Sequence, residues 1–152
     1  MRLIVVISLL CLSLFATSLR IGETLPFTTL NNQHDKASSL RKAKYWVIVQ
    51  DKSVSYLVNE YFLSKHQRVK SGEIVYILNI EKIPYFVYHL FVKNKMREFP
   101  FMIMICDEET KTARLPYRED KITVIEFDKQ RAVKISHVDN NASLDLALGV
   151  TP

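Results

Sequence analysis

The sequence predicts an α/β domain, a three-layer α/β/α sandwich built on a mixed central sheet. Three observations lead there. Continuous apolar, β-branched runs of about five residues recur along the chain, the pattern of strands buried on both faces. Helix-period segments separate the first three of these runs, and such strand–helix–strand units make parallel neighbours. Near the end, two alternating runs flank a tight polar turn, which is antiparallel hairpin chemistry.

Gly22 and Pro26 punctuate an irregular entry, and Phe27 to Leu30 is a short strand candidate. Asn31-Asn32-Gln33-His34-Asp35-Lys36 reads as a turn. Tyr45-Trp46-Val47-Ile48-Val49 is the first fully buried strand. A helix follows, with Ser53 expected as its cap and Val54, Leu57, Val58, Tyr61 and Phe62 forming one apolar stripe. Ile74 to Leu78 is the next strand. Pro84 suits the first position of a second helix, running to about Lys95. That helix is apolar almost all round (Phe86, Val87, Leu90, Phe91, Val92), so its aromatic side chains, with Tyr85 and Tyr88, are expected to pack between layers.

Pro100 breaks the chain before a third apolar strand, Phe101 to Cys106. Asp107 to Asp120 is polar and loop-like, with a short element expected near Ala113 to Leu115. Ile122 to Phe127 and Ala132 to Val138 then frame a turn at Asp128 to Arg131, and a short helix, Ser143 to Leu148, closes the domain. The expected order is β-β-α-β-α-β-loop-β-β-α.

The first residues read as a secretory signal peptide. Arg2 supplies the positive start, Leu3 to Phe15 the apolar stretch, and Ala16-Thr17-Ser18 the small residues of a cleavage site. Thirteen helical residues span about 20 Å, short of the roughly 30 Å hydrocarbon core, so no stable membrane anchor is expected. Cleavage near Ser18 leaves one domain over residues 19–152, and no Gly/Ser-rich or Pro-rich linker divides it. The formal charge of +5 is scattered and interrupted by acidic groups such as Asp107-Glu108-Glu109. Solvated faces are the expected reading, and no nucleic-acid partner.

The two cysteines are Cys11, inside the export segment, and Cys106, at the end of the third apolar strand. One remaining thiol argues against a disulfide scaffold and against a CxxC redox centre. Cys106 is expected to pack as a small hydrophobe, and as a reactive thiol only if the strand end is exposed. The histidines His34, His66, His89 and His137 are dispersed, without metal-ligand spacing. No metal or cofactor is expected.

The element order is similar to the thioredoxin-like fold, in the longer form of the peroxiredoxins. Ile21-Gly22-x-x-Leu25-Pro26 resembles the Gly-x-x-x-Pro opening of that superfamily. Phe99-Pro100-Phe101 through Asp107 resembles the segment in which Phe-Pro leads a strand ending in Asp, and Ile122 to Val138 the hairpin that follows. Within the superfamily, Gly22 to Pro26, Asn79 with Ile83-Pro84, Phe99-Pro100 with Asp107, and the Asp128-Lys129 turn resemble the YtfJ-type periplasmic proteins of Gram-negative bacteria.

The resemblance implies a working loop just past the first buried strand, where a helix start lowers the pKa of a peroxidatic cysteine. Here that loop reads Gln50-Asp51-Lys52-Ser53-Val54-Ser55, with no cysteine. Serine does not substitute, because its hydroxyl is far less acidic and does not cycle through sulfenic acid. The hairpin turn departs as well, with Gln130 and Arg131 where such turns prefer glycine.

Taken together, the sequence points to an exported bacterial protein, periplasmic or secreted. It would act as a non-enzymatic binding module, without redox-active cysteines, for a periplasmic protein or small ligand. Asp51, Lys52, Ser53 and Ser55 are the expected binding residues. The alternative is a thiol-dependent, peroxiredoxin-like oxidoreductase using Cys106. Serine hydrolysis at Ser53 or Ser55 is a third possibility, resting on position alone.

Overall fold

The computed structural model describes residues 17–150. Cys11 and most of the expected signal segment lie outside them. Thirteen elements follow one another: β1 (Thr29–Asn32), β2 (Ala37–Ser39), β3 (Tyr45–Val49), α1 (Lys52–Lys70), β4 (Ile74–Asn79), α2 (Tyr85–Val87), a π-helical turn (Tyr88–Val92), α3 (Lys93–Arg97), β5 (Ile103–Cys106), α4 (Glu109–Thr112), β6 (Ile122–Asp128), β7 (Arg131–Val138) and α5 (Asn141–Ala147). The strands form one sheet in the order β2-β1-β5-β4-β3-β6-β7.

β3 pairs parallel with β4, in register Val47↔Tyr76, and β4 parallel with β5, Leu78↔Ile105. All other pairings are antiparallel. Both crossovers step in the same direction across the sheet. Right-handed connections therefore place α1 and the α2–α3 rod on the same face. α5 joins them there: Tyr61 donates to the Asp145 carboxylate at 2.7 Å, and Arg68 to the Leu148 carbonyl at 3.0 Å.

Strand alternation divides the core in two. On the helical face, Tyr45, Val47, Val49, Tyr76 and Ile103 meet Val54, Val58 and Phe62 of α1, with Met96 and Leu144. Phe62 is fully buried against the Tyr76 and Phe101 rings, at 5.6 and 5.8 Å between centroids. On the other face, Leu30 of β1, Trp46, Ile48, Val75, Ile77, Met104 and Cys106 are roofed by Leu19, Leu40 and Leu115. That roof is irregular chain plus the single turn of α4. Helices flank both faces, but very unequally.

Several local expectations need correction. The first strand lies two residues later than Phe27 to Leu30, and the polar stretch after it holds part of β1 and leads into β2. Asn32 explains this: its buried Oδ1 accepts from the His34 and Lys36 N–H groups, closing the turn inside the hairpin. The short element near Ala113 is the α4 turn, at Glu109–Thr112. Ser53 does not cap α1. Asp51 occupies the N-cap position, and its side chain makes no capping bond.

The second helix is not a buried rod. Tyr88 is buried, but Tyr85, Phe86, Leu90 and Phe91 are 78, 64, 63 and 67% exposed. It is also broken by the π turn, which shifts the face that each side chain presents. In the β6–β7 turn the left-handed residues are Lys129 and Gln130, at φ 47° and 66°, rather than Gln130 and Arg131. Two such positions make a type I′ turn, which matches strand twist but strains non-glycine residues.

Candidate functional site

β3 and β4 end side by side, and their carboxyl ends carry the polar residues Gln50, Asp51 and Asn79. The Asn79 amide donates to Gln50 Oε1 at 2.9 Å, and the Gln50 amide donates to the Pro116 carbonyl at 2.9 Å. These bonds tie the two strand ends to the loop that precedes β6. Asp51 strengthens the same tie. Its carboxylate accepts from the Tyr117 hydroxyl at 3.0 and 3.1 Å and from the Asp120 N–H at 2.9 Å. Ser53 turns the same way and donates to the Asp120 carboxylate at 2.6 Å.

With Asp51 and Ser53 committed to that loop, no side chain caps α1, and its first turn carries no acidic residue. The uncapped N–H groups leave a partial positive charge there. Lys52 adds a full one. Ser55 is occupied locally, donating to the Lys52 carbonyl at 2.9 Å. Among the described residues no histidine is hydrogen-bonded to Ser53 or Ser55, so neither is paired there with the base that a serine nucleophile needs.

Beside this loop opens a cleft of about 600 Å³ between α1 and the α2–α3 rod. Tyr76, Leu78 and Ile103 of the sheet form its floor. Ile83, Val87, Phe91, Val92, Met96 and Phe99 form the far wall, and Asp51, Lys52, Ser55 and Asn59 the near one. Asn59 is held by the Tyr76 hydroxyl, which donates to it at 3.0 Å. Burial pushes the Tyr76 phenol well above its ordinary range, so it stays a neutral donor. Lys52, Lys82 and Lys95 bring positive charge to a lining whose far wall is otherwise apolar.

Lys82 lies over the Tyr117 ring, 4.7 Å from its centroid. Desolvation first, then the Asp51 hydrogen bond, raises the Tyr117 phenol, so the Asp51–Tyr117 bond keeps its proton. A cleft of this size and lining, with a few convergent polar groups, has the character of a small-ligand site.

Cys106 lies elsewhere. Opposite Asn79 in the β4–β5 register, its side chain points to the face away from the cleft and is fully buried. Burial first, then the Asp107 carboxylate, pushes its thiol up to about 12. Thiolate chemistry needs the reverse environment. Of the dispersed histidines, His137 Nδ1 is 3.0 Å from Thr123 Oγ1, and His89 lies against the Tyr85 ring. No group of three or more His, Cys, Asp or Glu side chains among the described residues is placed to hold a metal ion.

The structure thus brings Asp51, Lys52 and Ser55 together on the cleft, turns Ser53 away from it, and sets Cys106 on the opposite face. Sequence reasoning missed Gln50, Asn59, Lys82, Lys95 and Tyr117. The one available signal was Lys82 beside Ile83-Pro84, immediately before the aromatic-rich helix.

Solved structures superpose on most of this chain. A candidate protein disulfide isomerase from Bacteroides thetaiotaomicron superposes with a TM-score of 0.56 at 18% identity, covering 86% of this chain and 87% of that one. The thioredoxin domain of a thiol-disulfide oxidoreductase from Bacteroides vulgatus gives 0.53 at 12% identity, over 87% and 97%. The chain has the thioredoxin-like fold. A thio-disulfide isomerase from Thermus thermophilus gives 0.52 at 14% identity, over 88% and 100%. Identities this low relate this thioredoxin-like chain to its neighbours by fold alone. No protein-family model matches it, and no curated protein does.

Proposed function

We propose that this chain is a non-enzymatic thioredoxin-like binding module that captures a ligand in the cleft beside the Gln50–Ser55 loop. The observation that carries the reading is a substitution of chemistry at one place. Where a thiol would sit, the chain has Asp51 and Lys52, and next to them a largely apolar cleft of about 600 Å³. The Asp51–Tyr117–Asp120 bonds hold the loop in place, so the cleft wall is preorganised rather than formed on binding.

The same reading takes residues 1–18 as a signal peptide and the protein as periplasmic and YtfJ-type, supported by the Arg2 and Leu3 to Phe15 pattern and by the motifs from Gly22 to Asp128. Among the described residues no helix is long and apolar enough to cross a membrane. The partner is a small ligand or an apolar segment of a periplasmic protein. A thiol-oxidoreductase role for Cys106 has its burial and its raised pKa against it.

The test uses the neutral fluorescent probe N-phenyl-1-naphthylamine. Saturable binding is expected, weakened about tenfold or more when Val87→Trp fills the cleft, and unchanged in Cys106→Ala. Phe91 is exposed, so Phe91→Ala gives a second variant with little risk to folding, and it too should weaken binding. Absence of probe binding, or binding indifferent to both cleft substitutions, would refute the reading.

A further inference from the structure

We infer that the ligand of this cleft is an amphipathic anion, a small molecule with a hydrocarbon body and an anionic head. The inference rests on the binding-module reading and adds the chemistry of the occupant. Three independent features carry it.

The first is the charge of the lining. Its charged groups are Lys52, Lys82 and Lys95 against the single acid Asp51. Asp51 already accepts from the Tyr117 hydroxyl and the Asp120 N–H, and its one negative charge leaves the lysines in excess. None of the three lysines is in an ion pair among the described residues, whereas Lys93, on the same rod as Lys95, is paired with Asp35 at 2.7 Å. Uncompensated cations around an apolar hollow favour a negative group on whatever enters.

The second feature is the uncapped start of α1. Its acceptor-seeking N–H groups lie at the same end of the cleft as Lys52, and add to the field there. The third is the shape of the apolar part. Leu78, Ile83, Val87, Phe91, Val92 and Met96 run along the cleft from the loop end down the rod. Phe86 and Leu90 continue that apolar surface out into solvent. A polar head at the loop with a hydrocarbon chain laid along the rod matches both halves. A cationic amphiphile does not match the charge, and a small hydrophilic anion leaves the apolar wall wet.

The experiment measures displacement of N-phenyl-1-naphthylamine by decanoate, 1-decanol and decyltrimethylammonium, with decanoate also titrated directly by calorimetry. Decanoate is expected to bind about tenfold or more tighter than decanol, with the ammonium weakest. Affinity should rise up to about fourfold per added methylene from octanoate to dodecanoate. Lys52→Gln and Lys82→Gln, at the loop end, should each weaken decanoate about two- to fivefold, and Lys95→Gln, beside Met96 further down the rod, by less; the triple variant should erase its preference over decanol. Lys129→Gln and Lys134→Gln, on the distant hairpin, should leave that preference intact.

Equal binding of decanoate and decanol would overturn the anion assignment while the cleft remained a binding site. A preference that survived in the triple lysine variant would overturn it too. If neither the neutral probe nor decanoate binds, by fluorescence or by heat, the binding-module reading fails together with it.

Discussion

Cys106 offers the sharpest quantitative test of whether this fold has kept any thiol chemistry. The nucleophile is the thiolate, and its population follows directly from the environment of the side chain. With the thiol pushed up to about 12, the thiolate fraction at about pH 7.5 is roughly 3 × 10⁻⁵, against about 0.1 for an unperturbed cysteine near 8.5. Ionisation alone therefore cuts the reactive thiolate fraction about 3,000-fold. Burial adds to this, because the sulfur lies under the Trp46, Ile77 and Leu115 cluster and a reagent reaches it only when that face opens. The assay is N-ethylmaleimide labelling followed by intact mass, in native buffer and in denaturing guanidinium chloride. The expected ratio of rates is about 10³ or more. Native labelling within about tenfold of the denatured rate would refute the reasoning and return the thiol-enzyme reading.

The same group makes stability fall at alkaline pH. The folded thiol ionises near about 12 and the unfolded one near about 8.5. Between those values the unfolded chain holds fewer protons, so unfolding free energy drops as pH rises, by up to about 1.4 kcal/mol per pH unit. The contribution is complete below about pH 8.5. Denaturation midpoints at pH 7, 8.5 and 9.5 should show the drop, and Cys106→Ala should flatten it; an identical slope in the variant would contradict the assignment. In the β6–β7 turn, Gln130→Gly should stabilise the protein by about 0.5–1 kcal/mol by relieving left-handed strain. Its carbonyl bond from Leu25 N–H would be kept. Destabilisation in urea melts would show that the Gln130 side chain does more than tolerate the turn.

How much of this was legible depends on where the information lies. β3, β4, α1 and the β6–β7 hairpin could be read because each is long, strongly patterned and buried on the face its period indicates. β2 could not. Ala37-Ser38-Ser39 has no apolar signal, and it is a strand only because β1 offers a ladder to pair with. The second helix misled in the opposite sense. An aromatic-rich segment reads as core by composition, and only the same-handed crossovers show that it forms the outer wall of a cleft.

The candidate site was half legible. Asp51, Lys52 and Ser55 follow from the loop after the first buried strand. Tyr117 and Asp120 reach that loop across 66 and 69 residues of chain, a distance no local pattern encodes. Their effect is to draw Asp51 and Ser53 away from capping, which is why the sequence assigned Ser53 the wrong role. Lys82 and Lys95 matter only through the cleft they share with Lys52, and that cleft exists only in the folded chain.

The most direct test of the central claim is amide NMR on uniformly ¹⁵N-labelled protein titrated with decanoate. Shift changes are expected at Lys52, Asn79 and along Ile83 to Met96, with the Trp46, Met104 and Cys106 face silent. Changes centred on Cys106 and Leu115 instead would contradict that claim.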